Sequence, residues 1–136
     1  MQHTFTRRQL IGSAIAALVL PWRTWAQRRD APGPHPTPRA GITGAKVLTA
    51  EQLGKKTELI PLFDAVREAP EIVDGIRCNC GCASFKGFYS LLSCYEGEAM
   101  ARECAICQGQ GRLATRLHKA GKTLDEIRAA VDAKFG

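Results

Sequence analysis

Six cysteines are the residues of this 136-residue chain whose type and spacing could do chemistry. All of them lie within one stretch of thirty residues, as three thiols at alternate positions, one single thiol and one C-x-x-C pair. They are Cys78, Cys80, Cys82, Cys94, Cys104 and Cys107. Thiols concentrated in this way are typical of a thiolate metal site, a disulfide framework or a redox pair.

The local spacings favour chelation over short-range disulfides. Extended residues at i and i+2 have Cα atoms about 6.6 Å apart, near the upper limit for a disulfide. Helical residues at i and i+3 have Cβ atoms about 5–6 Å apart, wider than a disulfide prefers. Sulfurs that share a tetrahedral ion are about 3.8 Å apart, and Gly81 permits a sharp turn that folds Cys82 back toward Cys78 and Cys80. Disulfides between the groups remain open.

The thiol ligands narrow the choice of metal. An all-thiolate set suits Cu(I), Zn(II) or an iron–sulfur cluster, but the spacing does not match the ferredoxin patterns. One zinc ion needs four thiols and leaves two over, whereas six thiols could hold a small multinuclear Cu(I) centre. We therefore predict that all six cysteines are metal ligands, with Cu(I) favoured and Zn(II) as the alternative.

Two other interpretations of the cysteines stay open. One is a disulfide-stapled helical structural or interaction domain, because a core of this size is marginal without a staple. The other is a thiol–disulfide oxidoreductase using Cys104 and Cys107, although we expect Cys104 to lie too far into its helix for the activation that a helix N-terminus provides. An enzyme is thus the less favoured class. His118, the histidine of this region, is expected at the surface.

The first 26 residues have the layout of an export signal. Arg7 and Arg8 precede an uncharged, largely apolar run that ends at Leu20, and Ala26 offers a small-residue cleavage site. The paired arginines resemble the twin-arginine signal, whose pathway carries folded proteins. We therefore expect a periplasmic protein, with membrane contact only through this segment if it is not cleaved. In that oxidising compartment the cysteines must be paired, protected by metal or kept reduced by turnover.

The rest of the chain divides into three predicted regions. Residues 27–41 are Pro-rich and predict a disordered linker in which His35 is solvated. Residues 42–69 predict a short helical lead-in, and residues 70–136 predict the six-cysteine metal-binding domain. That domain carries nine Lys and Arg against eight Asp and Glu, so it lacks the basic face of a nucleic-acid binder. The expected partners are a metal ion and a metal-delivery or membrane protein.

Helix signals give the expected fold class. Capping boxes begin at Thr49 and Thr123, and residues 61–69 have apolar side chains on one helical face. Residues 99–119 favour a helix that Gly109 and Gly111 weaken. These glycines either allow close backbone approach or mark a bend. Residues 124–135 follow as a terminal amphipathic helix. The prediction is a mainly α, small helical domain around a cysteine-rich loop, with a terminal helical hairpin.

The cysteine pattern resembles the PCYCGC-motif family of exported bacterial proteins, which are largely uncharacterised. The resemblance covers roughly residues 70–136 and rests on the tripled cysteines, Cys94 and the C-x-x-C pair in the same order. Arg77 and Asn79 replace the proline and tyrosine of the motif. A histidine expected between Cys82 and Cys94 is absent. A weaker likeness to the cytochrome c maturation thiol proteins keeps the redox alternative open.

Overall fold

The computed structural model describes residues 33–136. These residues belong to one compact unit, which contains both the predicted lead-in, residues 42–69, and the predicted cysteine domain, residues 70–136. The predicted signal peptide, residues 1–26, and residues 27–32 of the predicted linker lie outside the described part of the chain.

The described residues are mainly helical, which confirms the predicted fold class. No strand occurs between residues 33 and 136, and the one isolated bridge there joins Val47 to Glu96. The five α-helices are α1 Ala50–Leu53, α2 Ile60–Glu68, α3 Pro70–Asp74, α4 Ala105–Lys119 and α5 Leu124–Phe135. Short 3-10 turns lie at Gly44–Lys46, Thr57–Leu59, Cys82–Ser84, Leu91–Tyr95 and Met100–Arg102.

Local signals set several of these helix ends. Both predicted capping boxes form, Thr49 with Gln52 at α1 and Thr123 with Glu126 at α5. In each box the threonine oxygen accepts the N–H of the third helical residue, and the glutamine or glutamate side chain accepts the threonine N–H. α3 begins at Pro70, where the missing N–H costs no helical hydrogen bond.

The helix predicted over residues 99–119 begins later than expected, at Ala105. Ala99 has a positive φ of 45°, and a separate 3-10 turn at Met100–Arg102 follows it before the chain reaches Cys104. α4 then runs to Lys119, and Gly121 with φ 80° turns the chain into α5. α4 and α5 pack against each other as the predicted terminal hairpin.

The core lies where α2, α4, α5 and the Leu91–Tyr95 turn meet. Phe63 of α2 and Tyr95 are fully buried, and their rings pack edge to face with centroids 4.9 Å apart. Ile127 and Val131 present the apolar face of α5 to the same core. The α2 residues Leu62 and Phe63 are buried and make the predicted lead-in, residues 42–69, part of this core.

Residues 33–41 lie against the helices, unlike the disordered linker predicted there. The Arg39 side chain pairs with the buried Asp74 at 2.7 Å and lies over the Tyr89 ring. His35 is only 13% exposed and lies 2.9 Å from Asp132, so the expectation of a solvated His35 is wrong. Alternating prolines prevent regular structure but not side-chain anchoring, which here comes from long-range polar contacts.

No helix within residues 33–136 combines the length and the apolar character that a membrane crossing requires.

Candidate metal centre

Three separate pieces of backbone bring the six cysteines together. The turn after α3 carries Cys78, Cys80 and Cys82, while Cys94 lies in the 3-10 turn Leu91–Tyr95. Cys104 is the residue before α4, and Cys107 lies in the first turn of that helix. The three thiol groups recognised in the sequence therefore converge on the N-terminal end of α4.

Four of the sulfurs form what we call the inner thiol group. Their Sγ atoms all lie within 4.8 Å of one another, and the exposed fraction of each residue is 2% or less. The inner thiol group consists of Cys78, Cys82, Cys94 and Cys107. Four sulfurs around one point, enclosed by the core, are the donor set of a closed tetrahedral site.

Three sulfurs form a second set, the outer thiol group, made up of Cys80, Cys104 and Cys107. Cys80 and Cys104 are partly exposed, whereas Cys107 is buried and belongs to both groups. The Cys107 Sγ lies 3.4 Å from the Cys80 Sγ and 3.5 Å from the Cys78 Sγ. All six cysteines predicted as ligands thus lie in one connected cluster.

The sulfur–sulfur distances bear on the choice between metal binding and disulfide pairing. The Sγ atoms of Cys78 and Cys80 are 3.2 Å apart, far beyond the roughly 2.05 Å of a bonded pair, and none of the six cysteines is joined by a disulfide in the structure. A disulfide uses each sulfur once, but Cys107 lies equally close to Cys78 and Cys80. Convergence of several sulfurs on one sulfur fits shared ligation of cations better than pairing.

The turn that holds the first three cysteines depends on Gly81. Its φ of 92° lies in the left-handed region, which a glycine adopts without the steric cost of a Cβ. The segment is therefore a turn rather than extended, and Cys82 folds back beside Cys78 as predicted from Gly81. Cys80 instead lies at the edge of the cluster, where it is partly exposed.

The thiols perturb one another's proton affinity. Hydrogen bonds from Cys107 and Cys94 lower the pKa of Cys78 to about 2, although burial acts in the opposite direction. The hydrogen bond to Cys78 raises the pKa of Cys107, and burial adds to that effect. One thiolate is thus stabilised by protons that its neighbours retain. The cluster as a whole needs a cation before all of its thiols can ionise.

Gln110 positions the turn that carries Cys78, Cys80 and Cys82, which we call the Cys78 turn. Sequence reasoning missed this role. Its fully buried side chain accepts the Asn79 N–H at 3.1 Å and donates to the Arg77 carbonyl at 3.3 Å. Both peptide groups that flank Cys78 are therefore fixed to α4, three residues after Cys107. A glutamine on the buried face of that helix, at i+3 from a ligand, is the signal that could have revealed it.

Tyr95 and Gly111 fix the position of Cys107. The Tyr95 hydroxyl donates to the Cys107 carbonyl at 2.7 Å, and a Cβ on Gly111 would lie 2.8 Å from the Tyr95 Cζ atom. Only a glycine lets the ring come this close to α4. This is the close backbone approach that the sequence left open for the α4 glycines.

His35 supports the same turn through the N–H of Arg77 and was also missed. Its Nδ1 accepts the Arg77 N–H at 3.0 Å, and its Nε2 contacts Asp132 of α5 at 2.9 Å. The imidazole thus joins the Cys78 turn to the terminal hairpin. No local pattern points to this role, because the contacts span 42 and 97 residues.

Cys104 lies at the N-terminus of α4, whereas from the sequence we expected it further into the helix. It is the N-cap residue of α4, and the expectation that it lies too far into the helix is wrong because the helix begins at Ala105. Burial raises the pKa of Cys104, but the backbone N–H groups of Cys107 and Ile106 outweigh that effect and lower it. His118 is exposed, as predicted.

Comparisons of this chain with protein-family models, curated proteins and solved structures find no match. The likeness to the PCYCGC-motif family therefore stays a prediction. The structure itself gives a buried cluster of cysteines that could hold a metal ion.

Proposed function

We propose that this protein is a periplasmic thiolate metal-binding protein that sequesters or delivers a soft metal ion or confers resistance to it, with Cu(I) as the favoured ion. The observation that carries the proposal is the inner thiol group, whose four buried sulfurs all lie within 4.8 Å of one another. Buried thiols need either a shared cation or retained protons, and a soft cation is the partner that sulfur binds best.

The surroundings of the cluster support bound thiolates. Within the described residues, both polar atoms of the Asn79 side chain are buried without a hydrogen-bond partner, and Asn79 lies between Cys78 and Cys80. An unpaired buried amide is costly, whereas an N–H donor beside a charged thiolate ligand is favourable. We expect the Asn79 amide to donate to a ligand sulfur once the thiols are ionised by metal.

Two ions remain in competition for the site. Zn(II) matches the four thiolates of the inner thiol group. Cu(I) is soft and suits all-sulfur donors, and the three sulfurs of the outer thiol group suit its lower coordination number. Copper handling is also concentrated in the compartment to which the signal-like N-terminus would send the chain. These points favour Cu(I).

Export and partners belong to the same proposal. A twin-arginine-type signal would carry the domain in its folded state, so the metal could be loaded before export. The partner would then be a metal-delivery or membrane protein that exchanges the ion through thiolates. The resemblance to exported PCYCGC-motif proteins agrees with this placement.

Metal analysis combined with a thiol count tests the proposal. The full chain is purified without oxygen and divided into samples with and without reductant. We expect bound Cu or Zn in both samples and six thiols that react with a thiol reagent only after a chelator removes the metal. Metal-free protein with six reactive thiols would refute the proposal. Zero free thiols and a mass six hydrogens lower would establish the disulfide-stapled domain instead.

One observation favours a second function, thiol–disulfide exchange. Cys104 is partly exposed at the N-terminus of α4 with a lowered pKa, and Cys107 lies within 4.8 Å of it. The Cys104 thiolate would attack a substrate disulfide and release one thiolate as a mixed disulfide forms. Cys107 would then pass its proton to the thiolate released first, displace the second substrate thiolate and leave a Cys104–Cys107 disulfide.

The variant Cys104→Ser separates the two functions. Exchange would lose its attacking thiolate and fall to background in an assay with a disulfide substrate. The inner thiol group does not include Cys104, so metal binding there should survive. Unchanged exchange activity in this variant would eliminate the redox function.

A further inference from the structure

We propose that the cluster holds two metal ions that share Cys107, a slowly exchanging ion in the inner thiol group and a readily exchanged ion in the outer thiol group. This inference rests on the proposed metal-binding function and adds the stoichiometry and the route of exchange. The juxtaposition that carries it is one buried sulfur common to a set of four and a set of three.

The coordination number of a metal ion limits how many of the six sulfurs one ion can bind. Four thiolates fill the shell of a tetrahedral ion, so an ion bound by the inner thiol group has no place for Cys80 or Cys104. Those two sulfurs nevertheless lie within 4.8 Å of each other and of Cys107, which is the reach of one further ion. A thiolate has enough lone pairs to bridge two cations, and Cys107 lies where a bridge is needed.

The sulfurs of the outer thiol group lie close to those of the inner thiol group. The Cys80 Sγ is 3.2 Å from the Cys78 Sγ and 3.4 Å from the Cys107 Sγ. Thiolates this close repel one another strongly in a buried setting. A second cation at the outer thiol group offsets that repulsion, whereas a single inner ion leaves Cys80 beside two ligand thiolates with no counter-charge.

The two thiol groups differ in solvent exposure. We therefore expect the two ions to exchange at different rates. The inner sulfurs are at most 2% exposed, while Cys80 and Cys104 both contact solvent. A surface pocket of about 340 Å³ also opens beside Cys104, lined in part by Met100 and Glu103. Met100 is 39% exposed, so its soft thioether is available to an ion in transit. An incoming ligand reaches the outer ion through this pocket.

A competition experiment with Cu(I) tests the inference. The reduced full chain is titrated with buffered Cu(I), and the loaded protein is then mixed with a strong chromophoric Cu(I) chelator. We expect two Cu(I) per chain and a release in two phases of equal amplitude, the first at least tenfold faster than the second. The double variant Cys80→Ser/Cys104→Ser should bind one Cu(I) and lose the fast phase.

A matched double variant of the inner sulfurs completes the design. Cys82→Ser/Cys94→Ser should lose the slow phase and keep a fast one. Circular dichroism checks that it folds, and the outer double variant alone still decides the question if it does not. A wild-type chain that binds one ion, or three or more, or an outer double variant that still binds two ions in two phases, would overturn this inference while leaving the proposed function standing. A wild-type chain that binds no Cu(I) or Zn(II) would instead overturn the proposed function.

Discussion

The cysteine segment, residues 76–95, and the terminal hairpin, residues 105–135, are held in their folds by different means. The hairpin consists of two regular helices, and α5 begins with its own capping box at Thr123. The cysteine segment contains only short 3-10 turns. Gln110 of α4 binds the backbone on both sides of Cys78, and the side chain of Asp74 in α3 accepts a hydrogen bond from the Ser90 hydroxyl.

This difference indicates which of the two regions depends on bound metal for its stability. α5 has its own capping box and an apolar face, which favour this helix without help from the thiols. The cysteine segment has few backbone hydrogen bonds of its own, so its order depends on the core, on borrowed side-chain contacts and on whatever the thiols bind. We expect metal to stabilise the segment far more than the hairpin.

Removing the metal should have the largest effect. Binding free energy in small thiolate zinc domains is on the order of 10 kcal/mol and acts as folding free energy. Hydrogen exchange of the reduced chain should therefore lose protection across residues 78–95 after chelation, while α5 retains most of its own. An equal loss of protection in residues 78–95 and in α5, or no loss in either, would contradict the claim that metal stabilises mainly the cysteine segment.

Breaking the ion pair of the buried Asp74, which also binds Ser90 of the cysteine segment, should have the next largest effect. Asp74 is fully buried and pairs with Arg39, and it also accepts the Ser90 hydroxyl at 2.6 Å. We expect Asp74→Asn to lower the free energy of unfolding by about 3 kcal/mol, at the low end for a buried pair because Arg39 remains partly in water. Urea unfolding measures this loss.

The Asp74 pair also predicts an acid sensitivity. Burial raises the pKa of Asp74, but the hydrogen bonds from Arg39 and Ser90 outweigh it and hold the pKa below its usual range. A carboxyl with a depressed folded-state pKa stabilises the fold above its unfolded pKa, and that stability disappears as the pH falls through the folded pKa. The difference between wild type and Asp74→Asn should therefore shrink on acidification below about pH 4.

A surface pair in the hairpin provides the matched control. Asp125 is 91% exposed and contacts Arg128 at 3.0 Å. Asp125→Asn should cost less than about 1 kcal/mol, because exposed ion pairs contribute little. A loss as large as that of Asp74→Asn would show that burial does not distinguish the two regions.

Removing the Gln110 side chain should act on the cysteine segment by a smaller amount. Gln110→Ala leaves the Asn79 N–H and the Arg77 carbonyl without their partners, which costs about 1–3 kcal/mol. The exposed helix position Arg116 offers the control Arg116→Ala. We expect weaker metal binding in a competition titration only for Gln110→Ala, and equal affinities in the two variants would remove Gln110 from the positioning role.

The smallest effect is expected at the hairpin cap. Thr123→Ala removes the oxygen that accepts the Glu126 N–H and should cost about 1 kcal/mol. Thr123→Ser keeps that oxygen and should recover most of the loss in thermal unfolding. Metal stoichiometry should be the same in both variants, and a change in it would mean that the hairpin cap controls the cluster.

Much of the fold could be predicted because its signals are local. The threonine and its acidic or amide partner three residues later mark a helix start directly, which is why both capping boxes were found. The three thiol groups follow from spacing alone. Gly81 likewise predicted the turn that brings Cys82 beside Cys78, because few other residues tolerate a left-handed backbone conformation.

The contacts that position the site could not be predicted because they join distant residues. Gln110 reaches a turn more than thirty residues away, and His35 anchors to both Arg77 and Asp132 from a Pro-rich stretch that has every sign of a linker. The position of Cys104 was misjudged for a related reason. Residues 99–104 favour a helix by composition, yet the chain breaks at Ala99 and Cys104 becomes an N-cap.

The most direct test of the central claim is X-ray absorption at the metal edge of the full chain purified with its metal under anaerobic conditions. A shell of sulfur atoms alone, at about 2.3 Å for zinc or slightly less for Cu(I), is the predicted result. Coordination dominated by nitrogen or oxygen would contradict the claim that the cysteine cluster is the metal site.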